Sequence, residues 1–283
     1  MNVLYITHPV NGLLMILVPV GLGYFLTYKL KLGLSLWWAG AVTFILSQVV
    51  HIPFNLLILN PLLEGSSIII ISIALGLSAG IFEELARYGT YRWWRKDARS
   101  WGKGVLLGAG HGGIEAIILG VLVLYTFIQQ IAFLGVDLST IIPEEHITIA
   151  RQQINIYWTL PWYLSLFGAL ERIFTIPFHI AASVIVLQIF TRGQLRWLWL
   201  AIGWHALVDA LAILTASLWG VYIAEAIIGI GALINLLIIF ILRQPEVAEY
   251  IPEPAPLPAP VLLSNLSEPI ITDDTLDKTR YVK

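Results

Sequence analysis

The sequence contains no cysteine. That absence excludes disulfides, a thiolate nucleophile and any thiolate-bound metal, so a metal held by this chain must rest on histidines and carboxylates. Charge is scarce too: Asp, Glu, Lys and Arg make up 12% of the residues, about half their share in soluble domains. The 18 acidic and 16 basic side chains nearly cancel, to a formal net charge of −2, so no basic excess points to nucleic acid. The opening MNVLYITHPVNG has no Lys or Arg. The apolar run behind it therefore lacks the basic n-region of a secretory signal and reads as a retained span.

What is present is apolar. Hydrophobic residues account for 58% of the chain and the mean hydropathy is +0.82, which places it in a bilayer. Taking about 20 apolar residues per crossing, spans are predicted near 10–28, 34–60, 66–91, 104–134, 158–190, 196–217 and 219–242. The fourth and fifth are overlong and should tilt or break, and Pro161 and Pro177 give the fifth a reason to do so. The expected fold is an all-α polytopic membrane bundle of about seven transmembrane helices.

Lys29, Lys31, Arg92, Arg95, Lys96, Arg99, Lys103, Arg192, Arg196 and Arg243 fall between spans on one side, and Arg151 alone falls on the other. The positive-inside rule then puts the N-terminus outside and the C-terminus in the cytoplasm. Trp93, Trp94, Trp101, Trp197 and Trp199 sit beside the basic loops as interfacial anchors. Residues 1–243 form the predicted transmembrane domain, with its site on spans three to six. From Gln244 the chain turns to PEVAEYIPEPAPLPAP and an acidic end, so 244–283 is expected to be a disordered, Pro-rich cytoplasmic tail. In the outer loop, about 135–157, Pro143 followed by Glu144 and Glu145 predicts the start of a short helix.

Ionisable groups inside a bilayer cost about 2.5–3.5 kcal/mol each on insertion scales and usually face a bundle interior or an aqueous cavity. Here four successive spans carry them in sets: GIFEELARY with Glu83, Glu84 and Arg87, GAGHGGIEAI with His111 and Glu115, ERIFTIPFHIAAS with Glu171, Arg172 and His179, and GWHALVDAL with His205 and Asp209. Residues four apart share a helix face. His111 therefore lies with Glu115, His205 with Asp209 and Glu83 with Arg87, while Arg172 and His179 align over two turns. Counted from the basic loops, Glu84, His111, His179 and His205 lie at similar depths, roughly 12–20 Å from the cytoplasmic ends. A single composite site is the consequence. Gly108, Gly110, Gly112 and Gly113 around His111 allow close helix approach.

Imidazoles and carboxylates around an open position suit catalytic zinc, which lowers the pKa of its bound water to about 7. His111, His179 and His205 are the candidate ligands of a divalent metal, zinc by preference. Glu84, oriented by Arg87, is the candidate general base, and Glu83, Glu115 and Asp209 complete the candidate catalytic set. The same residues also suit a metal-free route, in which a Glu and a His activate water and His205 with Asp209 stabilises the oxyanion. Glu171 with Arg172 reads as a structural pair, Glu225 as a boundary residue, and His8, His51 and His146 as loop or interfacial residues.

The ordered motifs EELAR, GHGGIEAI, ERIFTIPFHIAAS and WHALVDA on seven spans resemble the YhfC family of intramembrane metalloproteases over roughly residues 10–242. More distantly they are similar to the type II C-a-a-X prenyl proteases, the PrsW proteases and the seven-span scaffold subunit of gamma-secretase. In that wider group a Glu pair is followed by Arg or Lys, and a late His by Asn or Asp four residues on. Glu83, Glu84 and Arg87 match the first pattern, and His205 with Asp209 the second. The resemblance implies hydrolysis of a peptide bond in a membrane-embedded or membrane-associated protein, in the plasma membrane of a prokaryote. A non-catalytic scaffold or a proton-coupled transporter is the alternative.

Overall fold

The computed structural model of the chain describes residues 2–243; the tail expected over 244–283 lies outside the described residues. Those residues form α1 (Leu4–Leu30), α2 (Ser35–Phe54), α3 (Ile68–Gly89), α4 (Trp101–Phe133), α5 (Glu144–Thr159), α6 (Phe167–Arg192), α7 (Arg196–Trp219) and α8 (Val221–Ile241). All but α5 belong to segments long and apolar enough to cross a membrane. Among the described residues there is no strand. Backbone groups satisfied within each helix make this a viable all-α solution in hydrocarbon.

The boundaries follow local chemistry. Ser67 caps α3 by accepting the N–H of Ile70, as N-terminal hydroxyls do. Gly193, at φ +68°, closes α6, where a left-handed residue favours glycine. α2 runs on through a π-helical turn, Asn55–Leu59, and a short α-turn, Asn60–Leu62. Pro53 just upstream lacks the N–H that the ladder needs, and π turns are one way a helix absorbs such a fault.

Two expectations are corrected at these boundaries. The fifth crossing begins at Leu164, not near 158, because Pro161 ends the preceding helix and only a 3₁₀ turn, Leu164–Leu166, leads into α6. Pro177, by contrast, leaves α6 unbroken. α4 is also unbroken over 33 residues, about 50 Å at 1.5 Å per residue, so it must tilt or project beyond a hydrocarbon core of about 30 Å. The helix expected at Pro143 is α5, with Glu144 and Glu145 in its first turn.

α6 is the axis of the bundle and is buried on every face from Phe178 to Ile189. It packs against α4, α7 and α8, while α4 also packs along α1 and α2, and α3 along α7. Small residues permit these contacts, since lipid tails give helices no hydrophobic reason to associate. A Cβ on Gly110 would collide with the Trp37 carbonyl, and one on Gly108 would stand 2.6 Å from the Ile180 Cα. In Gly108–Gly113 the one side chain larger than methyl is that of His111, which is thereby held between α2 and α6.

The basic ends of the helices meet at one end of the bundle. Arg95 donates to the Ser35 carbonyl at 3.1 Å, Trp101 to the Ile239 carbonyl at 2.8 Å, and Arg243 lies over the Trp101 ring. Arg95 also grips Asp97, and that hydrogen bond holds the Asp97 carboxyl below its usual range. At the other end α5 is tied to α1: Asn2 donates to the Trp158 carbonyl at 2.8 Å and His8 stacks on Tyr157.

Candidate metal centre

The four polar sets converge inside the bundle. Glu83, Glu84, Arg87, His111, His179 and His205 are all buried, and Glu84, Arg87 and His111 have no exposure at all. Glu83 Oε2 stands among the three imidazoles: it is 3.0 Å from His111 Nε2, 3.9 Å from His205 Nε2 and 4.0 Å from His179 Nδ1. One ligand atom each from Glu83, His111 and His179 lie within 4.8 Å of one another.

The outer nitrogens of His179 and His205 are held by carboxylates. Arg87 Nη2 can only donate, so its 2.8 Å contact makes His179 Nδ1 the acceptor. The His179 proton is then on Nε2, which donates to Glu115 Oε2 at 2.6 Å. Glu115 is held in turn by Arg172 at 2.5 Å, and Arg172 also binds Glu171. On the other side Glu84 Oε1 accepts from Arg87 and, at 2.6 Å, from His205 Nδ1. His205 Nε2 thus faces Glu83 and Asp209, whose Oδ2 is 3.5 Å away.

The residues fit a divalent metal. Mixed imidazole and carboxylate donors suit zinc and its neighbours, and a carboxylate on the far nitrogen is the usual support of a metal-binding histidine. His111 Nδ1 and Glu84 Oε2 are buried without a hydrogen-bond partner. The trio that closes on one point pairs Glu83 with two histidines, whereas the sequence reading proposes three histidines. His205 is one step further out, drawn onto Glu84. Glu84, proposed as the base, is sealed from the surface between Arg87 and His205, and Glu83 takes the central position.

The span expected near 34–60 also contributes to the site, which places α2 beside spans three to six. His51, expected at an interface, is buried in α2, as His8 is in α1. Gln48 donates to Glu83 Oε1 at 3.0 Å and is linked to His51 and, beyond it, to Asn55. The spacing 48, 51, 55 is the signal: one polar stripe on an otherwise apolar helix.

A cleft of about 610 Å³ leads to this cluster. Its walls are apolar, with Phe44, Val49 and Pro53 on α2 and Ile118 and Leu122 on α4, and its polar lining is Gln48, Glu83 and Glu115. Val49 and Leu122 are exposed on the outer surface of the bundle, so the cleft opens sideways between α2 and α4.

Seven apolar crossings around a buried cluster of Glu83, His111 and His179, whose ligand atoms lie within 4.8 Å of one another, define a multi-pass membrane protein with a candidate metal centre. Residues 14–244 match the family described as YhfC intramembrane metalloprotease, and the chain belongs to that family. It is 29% identical over 222 residues to the Bacillus subtilis (strain 168) protein described as uncharacterized membrane protein YhfC, covering 72% of this chain and 82% of that one. No solved structure matches.

Proposed function

We propose that the protein is an intramembrane metallopeptidase that hydrolyses a peptide bond in a membrane-embedded or membrane-associated substrate. The observation that carries this reading is that Glu83, His111 and His179 close on one point beside a cleft open to the lipid-facing surface. Glu83, His111 and His179 would hold the metal, zinc by its ligand types, with His205 nearby; His179 Nδ1 would exchange its Arg87 hydrogen bond for the ion. When bound, such an ion supplies Lewis acidity and makes water available as a nucleophile near neutral pH.

The chain's own groups do the rest. Glu115 borders the cleft and receives the His179 N–H and Arg172, and in this reading it is the carboxylate that exchanges a proton at the scissile bond. Arg87 and Glu84 hold His179 and His205 in their tautomers. Asp209, partly exposed beside His205 Nε2, orients that nitrogen. The apolar cleft walls accept a transmembrane segment and limit bulk water. In this reading the protein lies in a prokaryotic plasma membrane with its N-terminus outside and its site in the cytoplasmic half, an orientation that the charge asymmetry of the loops supports. Nothing in the charge balance suits nucleic acid.

The test is element analysis of the purified protein together with cleavage of a reconstituted substrate. About one equivalent of zinc is expected in the wild type, and loss of both metal and cleavage in Glu83→Gln and His111→Ala. Full cleavage by both variants would end the proposal. The dense pairing of Arg87 and Arg172 with carboxylates also suits a scaffold, for which the same experiment returns no metal and no cleavage in the wild type.

A further inference from the structure

Gln48, His51, Asn55 and Ser78 form a hydrogen-bonded chain that ends on Glu83, and its direction is fixed by chemistry. The Ser78 hydroxyl donates to Asn55 Oδ1 at 2.7 Å. Asn55 Nδ2 lies 2.9 Å from His51 Nε2 and can only donate, so that nitrogen accepts. Neutral His51 then carries its proton on Nδ1, which donates to Gln48 Oε1 at 3.3 Å. Gln48 Nε2 donates in turn to Glu83 Oε1 at 3.0 Å and to Ser47 Oγ at 3.3 Å. Turning either amide over would set acceptor against acceptor or donor against donor, so the links hold one another in a single orientation.

The two oxygens of Glu83 are thereby divided. Oε1 is tied to the Gln48 amide, while Oε2 is the oxygen that faces the imidazoles of His111, His179 and His205. We infer that Gln48, oriented through His51, Asn55 and Ser78, is a positioning residue that makes Glu83 a one-oxygen ligand with Oε2 turned to the metal. This rests on the metallopeptidase reading above. The π-helical turn that begins at Asn55 has a place in it, since it sets where the Asn55 amide meets His51 and Ser78, and such turns are frequent at functional sites.

The experiment is the Zn²⁺ affinity of the purified full-length protein in detergent, measured by chelator competition, with the Co²⁺ absorption spectrum as a second readout. Variants are Gln48→Leu, His51→Leu and His51→Gln. Losing an outer-shell partner is expected to weaken Zn²⁺ binding about 10–100-fold in both leucine variants and to alter the Co²⁺ spectrum. His51→Gln keeps a donor and an acceptor and should return the affinity close to wild type. A merely structural role would lower the melting temperature of the leucine variants and leave the folded fraction binding Zn²⁺ normally. Wild-type affinity and spectrum in Gln48→Leu and His51→Leu would overturn the inference and leave the metallopeptidase reading standing. A wild type that binds neither ion would remove both. Should the leucine variants not fold, Gln48→Met keeps the length of the side chain without its donor, and wild-type affinity in that variant would overturn the inference equally.

Discussion

Glu83 and Glu84 are neighbours in the chain but point about 100° apart around α3, and their surroundings differ accordingly. Glu83 has one oxygen among three imidazoles and an edge on the cleft, whereas Glu84 is sealed between Arg87 and His205. Glu83→Gln is therefore expected to abolish metal binding. Glu84→Gln should keep the stoichiometry while weakening affinity about 10–100-fold, as the loss of an outer-shell partner does; isothermal titration of both variants separates the two roles. Removing Arg87 leaves Glu84 buried with His205 as its one remaining partner, so Arg87→Leu should lower stability by about 3–5 kcal/mol, read from denaturant unfolding in micelles. That these residues share a site was legible in the four-residue stripes of α3, α4 and α7. Which carboxylate turns inward was not, because the rotation of α3 is set by Gly76 and Gly80 against the Ala206 and Ile202 carbonyls of α7. Gln48 was not legible and His51 reads as interfacial because uncharged or singly placed polar groups stand out little in an apolar run.

At the scale of elements, the site depends on how closely α4 can approach its neighbours. Gly40 of α2 and Gly110 of α4 face each other's backbone, and a Cβ on either would collide with a carbonyl oxygen, of Leu107 and Trp37 respectively. Neither obstacle is a flexible side chain. Gly110→Ala should therefore cost about 1–3 kcal/mol and displace His111, lowering the melting temperature and the metal content together; a variant that melts and binds metal as the wild type does would show that the helices can part without consequence. The glycines around His111 made this contact readable in advance. The behaviour of the prolines was only half readable. Pro161 ends a helix where the chain is exposed and free to turn, but Pro177 sits in α6 next to a stretch packed on all sides, where neighbouring helices keep the helix continuous despite the missing hydrogen bond. The π turn after Pro53 has no composition signal of its own.

For the whole molecule, seven crossings and their order follow from hydropathy alone, and ten basic residues against Arg151 predict a cytoplasmic C-terminus; a reporter fused there should be active on the cytoplasmic side only. The cleft was not legible, because Val49, Ile118 and Leu122, which line it, look in sequence like any lipid-facing residue. On the metallopeptidase proposal, its sideways opening is the route for a membrane-embedded substrate to Glu83 and Glu115 between α2 and α4, so filling that gap should stop cleavage and spare the metal. Val49→Trp and Ile118→Trp add bulk in the cleft and replace no candidate ligand. Cleavage of a reconstituted membrane-embedded substrate should fall on the order of 100-fold, the scale of loss that ångström-sized misplacement produces, with zinc content unchanged. Leu237→Trp, exposed on α8 away from the cleft, should cleave normally. Equal losses in all three variants would mean a general packing effect, and no loss in the first two would mean that the substrate enters elsewhere.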